Sequence, residues 1–178
     1  MLALIRIANS LDRDAIHDVH SSAFPEGENE LVAKLAIDLL TEKTDPETIS
    51  LVAEIDGAVV GHIAFSPVTN PGDSNWCGYI LAPLGVRTDC QQRGIGSSLV
   101  TNGIERLSQQ GVNVVFVYGD PKYYQRFGFK AETAANYLPP YELAYPFGWL
   151  ATVLGPGGYP EQPVELSFVA SLRDPALW

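Results

Sequence analysis

The chain has 178 residues, 46% of them hydrophobic and 18% charged, a length and composition that suit one globular domain with a buried core. Its 21 acidic and 11 basic residues give a net charge of −10, which opposes binding to nucleic acid or to an anionic membrane and leaves any anionic ligand to be bound by local groups. No apolar segment reaches the roughly 18 residues of a membrane span, and no basic region precedes the N-terminal apolar run, so neither an anchor nor a secretory signal is expected.

The first half of the chain predicts a strand, two helices and a β-hairpin. The strand is expected in "MLALIRIANS", and an amphipathic helix follows in "LDRDAIHDVHSSAF", where Ile16, Val19 and Ala23 share one face. A loop then enters a second helix in "PEGENELVAKLAIDLLTE". Asp56-Gly57 joins two β-rich runs in "ISLVAEIDGAVVGHIAFSPV", which predicts an antiparallel pair.

The second half predicts a parallel β-α-β unit. The strand "GYILAPLGV", expected to be interrupted at Ala82-Pro83, precedes the helix "SSLVTNGIERLSQQG", which ends at Gly111, and the apolar strand "VNVVFVYG". Two further strands are predicted in "GWLATVL" and "VELSFVASL". The fold class is therefore α/β, with a mixed, mostly antiparallel sheet flanked by helices. We expect one domain over residues 1–178, with a core over 4–130 and an acceptor-side region over 131–178.

The two cysteines, Cys77 and Cys90, do not have the spacing of a metal site or of a disulfide framework. They predict free thiols in the cytoplasm, and no metal is expected.

Two glycines, Gly94 and Gly96, lie at the start of the helix in the second half of the chain. Glycines there let backbone N–H groups approach an anion, and a helix N-terminus favours negative charge, so the pattern predicts a phosphate ligand. The dinucleotide-binding fingerprint is disfavoured because Leu99 occupies its third small position, and no P-loop string occurs. An ordinary strand-to-helix turn is the alternative.

The segment Gln91-Gln92-Arg93-Gly94-Ile95-Gly96 resembles the Q/R-x-x-G-x-G/A signature of the GNAT-type N-acetyltransferases. A second match follows the next strand, where "GDPKYYQRFGFK" resembles the family's tyrosine-containing helix and Gly-Phe pair. The two motifs occur in the family's order, and the resemblance covers roughly residues 4–130. It points to a bacterial-type subgroup of N-acetyltransferases.

The resemblance implies acetyl-CoA as cosubstrate and a set of residues that bind it. Acetyl transfer passes through a tetrahedral species whose oxyanion needs an N–H donor and whose departing thiolate needs a proton. In the family, the backbone at the end of the strand before the glycine loop binds pantetheine and polarises the thioester carbonyl, and a phenol lies near the sulfur. Carried onto this chain, the phenol is Tyr124 and the cofactor-binding residues are Leu84, Gly85, Val86, Gln91, Gln92, Arg93, Gly94, Ile95, Gly96, Ser97 and Ser98.

Each of these residues also has a plainer interpretation. Tyr123 and Phe127 are expected to pack rather than to react, and Tyr124 could do the same. Arg93 could be a solvated surface charge, and the two serines could be ordinary helix caps.

The general base is left open. Many relatives carry a carboxylate on the strand before the glycine loop, but "WCGYILAPLGV" contains no Asp, Glu or His. Water could accept the proton instead. The side chains considered for this role are Glu26, Glu28, Glu30, Glu54 and His62.

The expected activity is direct transfer of an acetyl group from acetyl-CoA to an amine of a small molecule or protein, without a covalent enzyme intermediate. The cofactor cleft is expected between the strands that end near Val86 and Tyr118. The missing strand carboxylate motivates one alternative, a non-catalytic acyl-CoA-binding sensor, and a nicotinamide enzyme is disfavoured by Leu99. The acceptor is not identified; its specificity is expected in the loops over residues 24–35 and 137–159, and a homodimer is left open.

Overall fold

The computed structural model describes residues 2–178, so Met1, which the predicted domain includes, lies outside the described residues. The chain divides into two compact units, one that extends to Phe65 and includes Ala82–Gly103, and one formed by Ser66–Leu81 and Ile104–Trp178. The expectation of one domain stays a prediction. In chain order, the strands and α-helices are β1 (Leu4–Ile7), α1 (Arg13–Ala23), α2 (Asn29–Thr41), β2 (Ile49–Ile55), β3 (Ala58–Asn70), β4 (Asp73–Val86), α3 (Ile95–Gln109), β5 (Val114–Tyr118), α4 (Pro121–Tyr124), α5 (Ala131–Ala134), β6 (Tyr137–Leu138), β7 (Trp149–Val153), β8 (Val164–Glu165) and β9 (Ser167–Phe168).

The first unit contains the antiparallel strands β1, β2 and the first part of β3, with α1 and α2. Leu51 on β2 pairs with Ile7 on one side and with Ile63 on the other. The predicted hairpin between β2 and β3 is confirmed, and its two turn residues both have positive φ, 50° at Asp56 and 80° at Gly57. Such a turn suits the right-handed twist of the paired strands, so the Asp-Gly pair fixes their register.

Helix α1 packs its apolar face into the core of the first unit. Ile16 and Val19 are fully buried, as the predicted amphipathic helix requires. Ile16 lies in a cluster with Ala36 of α2 and Val52 of β2. This packing fixes the position of every side chain on the buried face of α1, including His20, which lies four residues after Ile16.

Strand β4 differs from its prediction in two ways. It begins at Asp73, five residues before the predicted segment, and it continues through Ala82-Pro83 instead of being interrupted there. The Ala82-Pro83 peptide bond is cis. Proline removes only its own N–H from the ladder, and the chain beyond it stays paired, since the amide of Arg87 donates to the carbonyl of Val60.

The second unit contains the predicted parallel pair. Residues Gly78 to Leu81 of β4 pair in parallel with Val114 to Val117 of β5, and β5 pairs antiparallel with β7. The short strand β9 pairs antiparallel with the end of β3. The sheet is therefore mixed and mostly antiparallel, as expected, and the strand predicted in "GWLATVL" is confirmed. The segment "VELSFVASL" forms two short strands rather than one.

Aromatic rings fill the core of the second unit. The Phe116 ring stacks on Trp149 with centroids 5.2 Å apart and meets Tyr137 edge-on at 5.0 Å. Large aromatic side chains bury much area with few rotamers, which stabilises a region built from short strands and turns. Across residues 2–178, no helix combines the length and the apolar composition needed to cross a membrane.

Candidate active site

The glycine loop, residues 91–98, turns sharply into α3. Gln92 and Gly94 both adopt positive φ, 62° and 78°, and the helix begins at the next residue, Ile95. The first amides of a helix have no acceptor within it, and the amide of Ser98 is the first to donate back, to the carbonyl of Gly94. The residues from Gln91 to Gly94 are exposed, so the loop and the helix start present backbone N–H groups where an anion can reach them.

Side chains of the loop brace its own backbone. Nε2 of Gln91 donates to the carbonyl of Val86 at 3.0 Å, which ties the loop to the end of β4. Arg93 donates to the carbonyl of Asp89 at 3.1 Å, and the Asp89 carboxylate pairs with Arg87 at 2.8 Å. The two arginines therefore differ in their partners, since Arg87 pairs with the Asp89 carboxylate and Arg93 donates to the Asp89 backbone.

Leu99 and Ile95 pack the first turn of α3 onto β3. Both are buried, and a Cβ placed on Gly61 would lie 3.1 Å from Leu99 Cδ1 and 3.2 Å from Ile95 Cγ2. The dinucleotide fingerprint achieves close helix-strand packing with a small residue on the helix. Here Gly61 on the strand provides that room, which explains why a leucine is accepted at position 99.

The two predicted serines differ in their surroundings. The Ser98 hydroxyl donates to the carbonyl of Gly94 at 3.0 Å, so its proton is used within the first helical turn. Ser97 is half-buried.

Residues 84–86 form the last part of β4, with Gly85 buried and its neighbours Leu84 and Val86 half-buried. Gly85 does not have the positive φ that favours glycine. A Cβ at this position would instead lie 2.6 Å from Nδ1 and 2.9 Å from Cε1 of His20, far inside van der Waals contact. The imidazole of His20 therefore occupies the space of a side chain at residue 85.

Three polar side chains form a buried hydrogen-bonded line, which we call the histidine chain: His20 of α1, His62 of β3 and Ser50 of β2. His20 Nε2 lies 2.8 Å from His62 Nδ1, and His62 Nε2 lies 2.7 Å from the Ser50 hydroxyl. Both rings are fully buried and Ser50 is 8% exposed. The other ring nitrogen of His20, Nδ1, is buried without a hydrogen-bond partner among the described residues.

Burial keeps both rings of the histidine chain uncharged at neutral pH. Loss of solvent lowers the pKa of His20 to about 3, with a smaller contribution from His17. The pKa of His62 is lowered well below 6.5 by burial and by His20, and Asp12 only partly opposes this. His20 and Ser50 were not among the predicted site residues, although the spacing of Ile16, Val19, His20 and Ala23 on one helix face indicated that His20 faces the core.

The structure places the five candidate bases in different surroundings. His62 is enclosed, so its ring cannot touch an acceptor directly. The Glu54 carboxylate accepts from Arg6 at 2.9 Å, which holds it in an ion pair. Glu26 and Glu28 are exposed residues before α2. Glu30, which was predicted in the loop, is an exposed residue in the first turn of α2, and its carboxylate lies 3.8 Å from His17 Nε2.

Tyr124 belongs to the second unit and ends the short helix α4. The side chain of Asp120 caps this helix by accepting from the Lys122 amide at 2.9 Å. The tyrosine ring covers Gly119, where a Cβ would lie 2.5 Å from its Cε2, and it meets Phe129 edge-on at 5.7 Å. Burial, and to a lesser extent Tyr123, raises the pKa of Tyr124, so the phenol keeps its proton at neutral pH.

The rings beside Tyr124 pack as expected. Tyr123 and Phe127 meet edge-on at 5.6 Å, and the Arg126 guanidinium lies 4.7 Å from the centre of the Tyr123 ring. Gly128, with φ of 88°, ends this turn and begins the Gly-Phe pair. Among residues 2–178, His, Cys, Asp and Glu side chains form no group of three or more that could hold a metal ion.

Comparison with known proteins identifies the family. Residues 13–129 match the model of the acetyltransferase (GNAT) family, a span that contains every predicted site residue. Two Escherichia coli proteins, each described as an uncharacterised N-acetyltransferase, are similar in sequence. YjhQ is 36% identical over 125 residues, which is 70% of this chain and 67% of YjhQ. YhbS is 38% identical over 136 residues, which is 75% of this chain and 76% of YhbS.

Solved structures agree with this assignment. The Escherichia coli YhbS structure in complex with CoA has a TM-score of 0.81 at 28% identity and covers 98% of this chain and 93% of YhbS. A GNAT family acetyltransferase from Brucella melitensis in complex with acetyl-CoA has a TM-score of 0.68 at 32% identity and covers 95% of this chain and 97% of that protein. The chain belongs to the acetyltransferase (GNAT) family. It is an acyltransferase that uses acetyl-CoA for N-acetyl transfer, as the two motifs predicted.

Proposed function

We propose that the chain transfers the acetyl group of acetyl-CoA directly to an acceptor amine and that the glycine loop holds the pyrophosphate through its backbone. The observation that carries this proposal is the turn at Gln92 and Gly94, where two residues of positive φ lead straight into α3. Successive amides in such a turn point into one concavity, and the helix N-terminus adds a favourable dipole. A local site of this kind suits an anion in a chain whose net charge is −10.

Residues 84–86 are proposed to bind pantetheine and to polarise the thioester carbonyl. Gln91 supports this role because its amide nitrogen donates to the carbonyl of Val86, which couples the glycine loop to the end of the strand. A backbone N–H held in a paired strand needs little reorganisation when an oxyanion develops, and one such donor typically contributes on the order of 10²-fold to 10³-fold in rate.

Tyr124 is proposed to be the general acid that protonates the departing thiolate. Burial raises the pKa of Tyr124, so the phenol carries at neutral pH the proton that a general acid must hold before it acts. The packing of the ring on Gly119 and Phe129 limits its rotamers, which favours a fixed position for the hydroxyl.

Water is proposed to take the proton of the incoming ammonium group. His62 is enclosed and Glu54 is paired with Arg6, so neither side chain is free to approach an acceptor. The exposed Glu26, Glu28 and Glu30 are left as the carboxylates that could assist. The acidic balance of the chain favours a cationic acceptor, and the two free cysteines favour the cytoplasm.

Thiol release with a panel of amines tests the proposal against the acyl-CoA sensor. Acetyl-CoA is incubated with the protein and with polyamines, aminoglycosides and lysine-rich peptides, and both free CoA thiol and acetylated amine are measured. An enzyme forms the two products in equal amounts with at least one amine. A sensor binds CoA in calorimetry but releases no thiol above the rate of uncatalysed hydrolysis.

A further inference from the structure

The histidine chain points to a role for His20 in the reaction, an inference that rests on the proposed function of residues 84–86. Burying two imidazoles and a hydroxyl costs desolvation free energy that apolar side chains in the same interior would not cost. The histidine chain connects α1, β2 and β3, and the His20 ring at its end also contacts Gly85 of β4.

Contact with His20 explains why residue 85 is a glycine. The backbone of Gly85 lies outside the left-handed region, so any residue could adopt its conformation. A Cβ would nevertheless meet the edge of the imidazole at 2.6 Å, and that edge is the rigid part of a ring held from behind by His62. The glycine therefore provides space for His20, and the position of the strand end depends on the position of the ring.

The hydrogen bonds of the histidine chain allow two directions of donation, and the partnerless Nδ1 of His20 decides between them. With His20 Nε2–H donating to His62 Nδ1, and His62 Nε2–H donating to the Ser50 oxygen, the Ser50 hydroxyl can donate into a surface cavity of about 520 Å³ that it lines. The opposite direction would leave an N–H of His20 buried against Gly85 with no acceptor. An unpaired acceptor is tolerated better than an unpaired buried donor, so the first direction is the stable one.

We propose that His20 is a positioning residue for acetyl transfer: its ring, held by His62 and Ser50, sets the position of Gly85 and so of the backbone that polarises the thioester carbonyl. His20 does not touch the substrate, because its side chain is fully buried. Since both rings are neutral at neutral pH, the chain adds no charge to the site and fixes geometry alone. A small displacement of a catalytic donor can cost about 10²-fold in rate, which gives such a contact functional weight.

His20→Gln and His20→Asn each remove a different part of the His20 environment: the ring edge against Gly85 or the hydrogen bond to His62. Glutamine keeps a polar group near Nε2 that can bond to His62, but it has no ring edge against Gly85. Asparagine keeps a polar atom near Nδ1 and loses the bond to His62. Both variants are expected to lower kcat by about tenfold to 10²-fold and to raise the Kd for CoA, which depends on the glycine loop as well as on residues 84–86, by a much smaller factor. A proportional loss of CoA affinity, or wild-type kcat in both folded variants, would overturn the proposal.

A double-mutant cycle tests the contact between His20 and Gly85 directly. Gly85→Ala is expected to lower kcat strongly in the wild-type chain and much less in a His20→Ala background, where the ring that its Cβ meets is gone. An equal effect in both backgrounds would mean that Gly85 is required for another reason. If His20→Ala does not fold, the same cycle is run with His20→Gln.

Nitrogen-15 NMR of the histidine rings supplies a readout that needs no activity. The wild-type protein is expected to show both rings neutral with protons on Nε2, and the Gly85 amide is expected to shift in His20→Gln. A protonated Nδ1 on His20, or an unchanged Gly85 amide, would contradict the proposal. Absence of thiol release by the wild-type protein with every amine would instead count against the proposed function, which keeps the two failures distinct.

Discussion

The glycine loop and the histidine chain are two opposite solutions to building a site beside the end of β4. The loop is exposed and uses backbone amides of consecutive residues, shaped by the positive φ of Gln92 and Gly94. The histidine chain has two fully buried rings and uses side chains from positions 20, 50 and 62, linked by bonds of 2.8 and 2.7 Å. In the proposed function, the exposed loop provides the binding groups and the two buried rings hold the end of β4 in a fixed position.

The largest effect is expected at the loop, where Gly94→Val should abolish CoA binding. Gly94 has a φ of 78° and nothing within 4 Å of the position of a Cβ, so the substitution strains the turn and places a side chain where a ligand approaches. Gly111 at the other end of α3 has the same φ and the same free space, which makes Gly111→Val a matched control for backbone strain.

Calorimetry with CoA on both folded variants decides this prediction. Loss of binding in Gly94→Val with binding retained in Gly111→Val is the expected result. Unchanged affinity in Gly94→Val would reduce the loop to an ordinary turn. Gly96→Val, inside the first turn of α3, is expected to abolish binding for the steric reason alone.

Tyr124→Phe should leave CoA affinity and the fold largely intact and lower turnover. A general acid typically contributes on the order of 10²-fold to 10⁴-fold, or about 3 to 5 kcal/mol of the barrier, when protonation limits the rate. Steady-state kinetics measure the effect, and Tyr123→Phe is the neighbouring control because Tyr123 is expected only to pack. Wild-type turnover, with chemistry shown to be rate-limiting, would remove Tyr124 from the mechanism.

The histidine chain should make the protein less stable as the pH falls below about 6.5. The pKa values of His20 and His62 are lowered in the folded state, so between about pH 6.5 and pH 3 the unfolded chain takes up protons that the folded chain does not. The free energy of unfolding is therefore unaffected by the two rings above about pH 6.5 and falls as the pH drops below it.

Denaturant unfolding at pH 7.5 and pH 5.5 measures this dependence. His20→Gln should reduce the difference between the two conditions, because it removes one of the two buried rings. An identical pH dependence in His20→Gln and the wild-type protein would show that the buried ring is not the source.

The smallest effect is expected from the exposed acids. Glu26→Gln, Glu28→Gln and Glu30→Gln should each change kcat by less than about twofold, because water is the proposed proton acceptor. Each should also change the free energy of unfolding little, because substitution of a solvated side chain usually does. A large fall in kcat, with a shifted pH-rate profile in only one of the three, would identify that glutamate as the base.

The local conformation of the glycine loop was easier to predict from the sequence than the histidine chain, for a physical reason. The glycine loop and the turn at Tyr124 are each a continuous segment of sequence, so the types and spacing of their residues predict their local conformation. The histidine chain depends on contacts over 42 residues between His20 and His62, which only the folded sheet and helix bring together. His62 was considered as a base and is instead a linker between two buried groups.

The course of β4 was predicted only in part. Proline at position 83 predicted an interruption, but pairing on both sides of it carried the strand to Val86. The continuous strand brings Gly85 into contact with His20 of α1, which the sequence alone could not indicate. In the second unit, the short strands were hard to predict because they depend on the packing of Phe116 against Tyr137 and Trp149, which lie far from it in the sequence.

Backbone amide NMR during titration with CoA and with acetyl-CoA tests the central claim most directly, because the claim concerns backbone donors. Both ligands should shift the amides of Ile95, Gly96 and Ser97, and the difference between the two ligands should be concentrated in residues 84–86, where the acetyl group is proposed to bind. Binding that leaves the amides of the glycine loop unchanged, or a difference between the two ligands that does not involve residues 84–86, would contradict the account.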